Sequence, residues 1–228
     1  MRQNLENLHT MKTIINLLLI TILFFITSCE DEKTIGCTDS LACNYNSEAT
    51  EENNTCEYSQ QGFDCDGNIT SEIGDVMEGG YLFYIDETGQ HGLIAALEDI
   101  DGVYEWGCYL ENVNGSDETS IGTGYQNTMD IINQGCISYS GGITAAEAAL
   151  NYQSQSYNDW FLPSKDELLE LYFTIGNGGS SVVNGEFYNS HWSSSEANSY
   201  NSWYVLFNEG AVSSDKADND RVRPIRAF

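Results

Sequence analysis

The hydrophobic pattern divides the chain into three textures. Ile14 to Ile26 is an apolar run of thirteen residues, broken only by Asn16 and Thr21. From Gly36 to Asn68 aliphatic residues nearly vanish, and Asn, Asp, Glu, Ser and Thr fill the spaces between four cysteines. From Gly74 onward apolar positions return in periodic form. Tyr81 to Ile85 reads as a strand, Glu87-Thr88-Gly89 as a turn and Leu93 to Leu97 as a second strand, together a hairpin. Three capping-box spacings follow. Thr123-x-x-Gln126 precedes Met129, Ile131 and Ile132; Thr144-x-x-Glu147 precedes an Ala-rich stretch ending near Tyr152; Ser164-x-x-Glu167 precedes Leu168 to Ile175. In the third helix Leu168, Leu171, Tyr172 and Ile175 fall on one face, the pattern of a core-facing helix. "SWYVLFNEGAVSSD" reads as a hairpin around Asn208-Glu209-Gly210, and "RVRPIRAF" as a closing strand. Strands, then helices, then strands again predict an α+β class.

The first apolar run is too short to span a bilayer comfortably, and Lys12 precedes it as a charged n-region. Small residues Thr27 and Ser28 then lead into Cys29. This resembles a bacterial lipoprotein signal, occupying residues 1–28 with Met11 the better start than Met1. The resemblance implies that Cys29 is acylated and becomes the mature N-terminus. The alternative is an ordinary secretory signal with an incidental cysteine. Three acyl chains would hold firmly, since two already anchor a protein stably. Residues 29–35 form an acidic tether. Its Glu30-Asp31-Glu32 resembles the surface-export signal of lipoproteins in the Bacteroidetes group, which implies the outer membrane, facing the cell exterior; a solvated spacer is the plainer reading.

Seven cysteines is an odd count, and lipidation of Cys29 leaves six. Six in an exported chain imply an oxidising compartment and three disulfides. Cys37, Cys43, Cys56 and Cys65 fall within 29 residues that have too little apolar surface to fold unaided. Four cysteines allow three pairings, and the spacing does not choose among them. The pattern resembles a small cysteine repeat of surface proteins in the same bacterial group, so residues 36–73 are read as one stapled module. Asp64-Cys65-Asp66-Gly67-Asn68 has the acid spacing of a calcium loop. With Gly67 at the sixth position, however, Gly62 and Ile73 stand where the strong ligands belong, which favours a stapled turn. Asp39-Ser40-Leu41 resembles a short O-glycosylation signal. Cys108 and Cys136 are the two cysteines of residues 74–228 and are expected to pair. By loop-closure entropy that bridge stabilises by roughly 3–4 kcal/mol.

Charge narrows the partners. The chain carries 8 basic and 35 acidic residues, net -27, which disfavours nucleic acid and anionic membrane surfaces as partners. The acids are scattered and 12% of residues are aromatic, the profile of a folded acidic protein. Residues 74–228 hold 23 acids and 5 bases, net -18. Arg221, Arg223 and Arg226 are therefore expected to pair internally with carboxylates such as Glu167 or Glu196.

Within residues 74–228, "IGDVMEGGYLFYIDETGQHGLIAA", "NDWFLPSKDELLELY", "HWSSSEA" and "VRPIRAF" resemble the C-terminal domain of the Lcl collagen-like adhesin. That family is related to the C-type-lectin-like fold shared with formylglycine-generating enzymes. The resemblance implies small helices packed on twisted antiparallel sheets; by their size, Trp192 and Trp203 are expected in the core. The related enzymes hold copper with two late cysteines, and no cysteine follows Cys136. Two histidines, His91 and His191, follow the signal segment, too few for a His-rich zinc site and read as structural. "GNGGSS" at 176–181 lacks a phosphate loop's lysine, and no serine stands in a G-x-S-x-G elbow. The expectation is a non-catalytic binding or adhesion domain, with a structural display protein or a carbohydrate-active enzyme as alternatives. Glu196, Asn198, Tyr200 and Trp203 combine carboxylate, amide and aromatic groups suited to a saccharide. Asp215, Asp218 and Asp220 are a weaker candidate set for calcium. The adhesin is associated with sulfated glycans, which the negative charge here argues against. A neutral glycan or a protein fits better.

Overall fold

The structure, a computed structural model, describes residues 32–176, 183, 189–206 and 209–228. The signal segment 1–28, Cys29, the first two acids of the tether, Gly-rich residues 177–181 and Asn208 lie outside the described residues. Contacts divide the chain into two units, Met1–Tyr58 and Ser59–Phe228. This division runs through residues 36–73, which the sequence suggests are one module. Residues 59–73 go with the second unit because Phe63, Ile69 and Ile73 pack into one of its cores, with Phe63 edge-on to Phe228 at 5.6 Å.

In the first unit, β1 (Ile35–Gly36) pairs in parallel with β2 (Glu51–Glu52). The buried apolar residues of this unit's described part are Cys37 and Ala42. Covalent and polar staples take over. Cys37 is bonded to Cys56, and Cys43 is also disulfide-bonded. The Glu52 carboxylate accepts from the Thr38 amide and hydroxyl, both at 2.8 Å, and Asp39 accepts from the Tyr58 hydroxyl at 2.7 Å.

The second unit is α+β, its longer strands antiparallel. One sheet has the order β11 (Ile225–Ala227), β5 (Gly92–Ala96), β4 (Gly80–Ile85), β3 (Val76–Met77). It contains the expected first hairpin and the expected closing strand. A second sheet has the order β7 (Ser190–Glu196), β8 (Asn201–Leu206), β9 (Gly210–Asp215). The expected hairpin of β8 and β9 is there, paired from Asn201 with Asp215 to Leu206 with Gly210. A short pair joins β6 (Tyr104–Glu105) to β10 (Asn219–Asp220).

Helices α1 (Gly124–Gln134), α2 (Ala145–Asn151) and α3 (Lys165–Thr174) occupy the middle of the sequence. Thr144 with Glu147 and Ser164 with Glu167 form full capping boxes on α2 and α3. The box expected on α1 is absent. Thr123 makes no side-chain cap; its hydroxyl donates to the Ser120 carbonyl at 2.7 Å, and Gln126 turns along the helix to Asp130 at 2.9 Å. Helix α1 ends instead on Gly135 in the left-handed region, φ 76°, where a side chain would be strained. On α3, Leu168, Leu171 and Ile175 are fully buried against Phe83, Phe161 and Val205.

Gly124 shows how tightly α1 meets α3. A Cβ there would lie 2.2 Å from the Glu167 carboxylate and 2.7 Å from the Ser164 nitrogen. Glu167 is wholly buried and accepts from the amides of Gly122 at 2.8 Å and Ser164 at 2.7 Å. Burial pushes its carboxyl above the ordinary range, against these bonds. The arginines do pair internally, but with other partners. Arg223 reaches Asp99 at 2.6 Å, and Arg226 reaches Glu78 at 2.6 Å and Asp159 at 2.8 Å. Arg221 is half-exposed and stands 3.8 Å from Asp99. Glu167 is withheld from them by its amide donors and Glu196 by Lys216. Trp192 is fully buried as expected; Trp203 is only half-buried and lies under Lys165, whose ammonium is 5.2 Å from the ring centre.

Candidate functional site

The four candidate ligand residues of 196–203 do not face one ligand. Glu196 is buried beside Lys216, and its carboxylate accepts the Val113 amide at 2.9 Å. Asn198 folds back to accept the Tyr200 amide at 2.9 Å and the Asn201 amide at 3.1 Å, closing the β7–β8 turn. Trp203 is held under Lys165. Tyr200, at 55%, and Asn198 are exposed, but the Asn198 side-chain oxygen is taken up by the turn. The carboxylates of Asp215, Asp218 and Asp220 are also dispersed. Asp215 accepts the Ala217 amide at 2.9 Å, Asp218 the Ser214 hydroxyl and Asp220 the Ser190 hydroxyl, both at 2.7 Å. Burial raises the Asp220 carboxyl despite that bond.

Elsewhere the acids are also occupied by the protein's own donors. Asp64 accepts from the amides of Asp66 and Asn68 at 2.9 and 2.8 Å and from the Asn68 side chain at 2.8 Å, with its pKa lowered by Asn68 first. A cation would have to displace those donors. Among the described residues, one group has metal-binding proximity, Cys37, Glu52 and Cys56. Its two sulfurs are bonded to each other, which leaves a single carboxylate.

A different surface brings three tyrosines together, two of them exposed. A cavity of ≈ 400 Å³ opens between residues 108–111 and 134–139. Tyr109 and Tyr139 line it, with Glu111 and Ile137. Tyr109 contacts Tyr139 edge-on at 5.6 Å and 77°, and Tyr200 at 6.2 Å and 81°. Tyr139 is 74% exposed and Ile137 77%. Apolar side chains this open, around a concavity, are unusual unless something covers them.

The rim is shaped from beneath. Cys108 and Cys136 are bonded as expected, tying its two sides together. Glu105 is buried and accepts from the Ser138 hydroxyl at 2.8 Å and from the amides of Tyr139 and Ser140. Burial alone would raise the Glu105 carboxyl; the bonds from Ser140, Ser138 and Tyr139 outweigh it and hold it low. On the other side, the Lys216 ammonium donates to the Glu111 carbonyl at 2.8 Å and pairs with Glu196, and it lies 4.6 Å from the centre of the Trp106 ring. Gln134 donates to the Asn112 carbonyl at 2.8 Å and accepts the Asn114 amide at 3.0 Å. Backbone at Cys108 (φ 49°) and Leu110 (φ 74°) sits in the left-handed region, a strain that fits a functional loop. The negative charge of Asp215, and burial after it, raise the Tyr109 pKa.

Two candidate residues, Tyr200 and Asp215, thus meet here, but around Tyr109 and Tyr139, which periodicity did not single out. The available signal was adjacency to the paired cysteines. Tyr109 directly follows Cys108, and Tyr139 stands three places after Cys136. A second buried cluster joins Asp99 to His191 at 2.8 Å and to Arg223. Burial lowers the His191 pKa, and the hydrogen bond and charge of Asp99 oppose it. With the His191 and Arg223 side chains fully buried, this cluster is read as structural.

No protein-family model matches the chain, and no curated protein matches it. Among solved structures, a fimbrial protein from Bacteroides ovatus is similar at 14% identity and a TM-score of 0.45, over 81% of this chain and 50% of that one. The chain spans about half the length of that protein, and a likeness at this level carries no argument about fold or function.

Proposed function

We propose that this chain is a lipoprotein anchored at Cys29 to the bacterial outer membrane, whose C-terminal body binds a glycan or a protein outside the cell without catalysis. The lipoprotein-like signal and the acidic tether support the anchor and the outward orientation. The likeness of residues 74–228 to the adhesin domain supports a C-type-lectin-like fold and a binding role. The observation that carries the binding site is a tyrosine cluster, Tyr109 and Tyr139 lining a cavity whose rim is fixed by buried groups and Tyr200 in contact with Tyr109. Such a site is preorganised, so little ordering entropy opposes binding. The non-catalytic reading is supported by the buried acids Glu105, Glu167 and Glu196, whose oxygens are engaged by amide, hydroxyl or ammonium donors of the fold.

The test is a screen of the full chain, disulfides intact, against glycan and protein arrays with and without calcium. Tyr139→Ala and Tyr200→Ala should abolish the captured ligand's binding and leave thermal unfolding unchanged. A ligand insensitive to both changes would move the site elsewhere, and turnover of any captured glycan would replace a binder by an enzyme. Intact mass of membrane-extracted protein tests the lipid, and protease shaving of whole cells tests the exposure.

A further inference from the structure

The chemistry of the tyrosine cavity narrows what it takes. Tyr139 and Tyr200 stand at 77° and 81° to Tyr109. Rings set at right angles make walls around a compact group, whereas a pyranose needs one flat platform. Aromatic faces are electronegative and favour cations, most of all where several rings surround the charge. The cavity lining contains Glu111 and no basic residue. Asp215 lies outside this lining, but its negative charge acts on Tyr109, so the field at that wall is negative as well. The nearest cation the structure places here, Lys216, is wholly buried beneath the rim and engaged by Glu196, so it does not oppose a positive ligand from the surface. At ≈ 400 Å³ the cavity suits one side chain and its neighbours better than an extended polymer.

We propose that this cavity docks a basic segment of a partner protein, seating a lysine ammonium or arginine guanidinium against Tyr109 and Tyr139, with Tyr200 in contact with Tyr109 and Glu111 as the counter-charge. The proposal rests on the cavity being the ligand site. The net charge of -27 extends the complementarity beyond the cavity and would steer a basic partner toward this chain. Binding by this means weakens with salt and requires the charge on the ligand.

The probe is a capped Gly-Lys-Gly-Lys-Gly peptide, its Nε-acetylated form and its Nε-trimethylated form, titrated into the full chain while tyrosine-ring NMR resonances are followed. The lysine and trimethyl-lysine peptides should shift Tyr109, Tyr139 and Tyr200, and acetylation should weaken binding by about tenfold or more. Glu111→Gln and Tyr139→Ala, both at exposed positions, should each weaken the lysine peptide several-fold with no change in thermal midpoint. Equal binding of the acetylated peptide overturns the proposal, because the cavity is then merely apolar. Silence toward all three peptides overturns it too. If a neutral oligosaccharide then binds through Tyr139, the site stands with another ligand class. If the arrays are also empty, the binding reading falls with it.

Discussion

Glu196→Gln separates the sequence-level expectation from the structural one. As a ligand residue, Glu196 would be replaceable without unfolding the protein. The structure makes it the counter-charge of Lys216, with side chains 6% and 0% exposed. Burial already depresses the Lys216 pKa, and the hydrogen bond and charge of Glu196 oppose that. Glutamine keeps an acceptor for the Val113 amide, so the substitution removes the charge and little else. Breaking a buried pair costs about 3–5 kcal/mol, against about 0–1 for an exposed one. The retained acceptor, the Glu111 carbonyl and the Trp106 ring place the expectation near the lower bound, about 3 kcal/mol. With a urea slope of about 2 kcal/mol/M, the midpoint should fall by about 1.5 M. The four tryptophans all lie between residues 106 and 203, so fluorescence reports the second unit alone. Lys216→Met should cost a similar amount by stranding Glu196. The double variant should cost less than either single change, because no unpaired charge remains. An E196Q loss under about 1 kcal/mol, or a double variant equal to the sum of the singles, would refute the buried-pair argument.

Three further outcomes follow from the geometry. Gly124→Ala should destabilise by about 3 kcal/mol or more, since its methyl overlaps both the Glu167 carboxylate and backbone; an unchanged thermal midpoint would show that α1 can move. Thr144→Ala and Ser164→Ala should each cost about 1 kcal/mol in denaturant titrations, and Thr123→Ala less than about 0.5, because only the first two hydroxyls cap a helix. For pH, the His191 pKa is lower in the fold than the ordinary 6.5, so its unfolded state binds the proton first and stability falls as pH drops below 6.5. The slope from this residue is at most about 1.4 kcal/mol per pH unit. Asp99, held below 3.8 because His191 and Arg223 outweigh its burial, adds a loss as pH falls through its folded value. Glu167, raised by burial, acts oppositely, its contribution being full below 4.5 and lost as pH rises. Urea midpoints at pH 7 and pH 5 that coincide, or an unchanged pH slope in His191→Gln, would contradict the assignment.

Signals confined to a few neighbouring residues were readable in the chain. The hairpin of β4 and β5, the capping boxes of α2 and α3 and the buried face of α3 all follow from spacing alone. Thr123 failed because its hydroxyl found the Ser120 carbonyl, a competition that spacing does not reveal. Strand β7 was missed for a different reason. "SHWSSSE" reads as a polar loop, yet Ser193, Ser194 and Ser195 are fully buried. Ser193 and Ser195 donate to the carbonyls of Trp203 and Glu118 at 2.7 Å, which makes burial affordable. The Arg–carboxylate pairing was legible as a type but not by partner, since Asp99 and Arg223 meet across 124 positions of sequence. The site was half legible. The Cys108–Cys136 bridge was expected from cysteine count, but that it would bring Tyr109 beside Tyr139 depends on the loop geometry.

Glu105 has a consequence beyond holding one turn. The groups that give the rim its outline are sealed under it, while the side chains that meet the outside world, Tyr109, Leu110, Ile137 and Tyr139, bear little of the fold's weight. Exchange of the outer residues can therefore alter the surface this rim presents while the mould underneath stays the same.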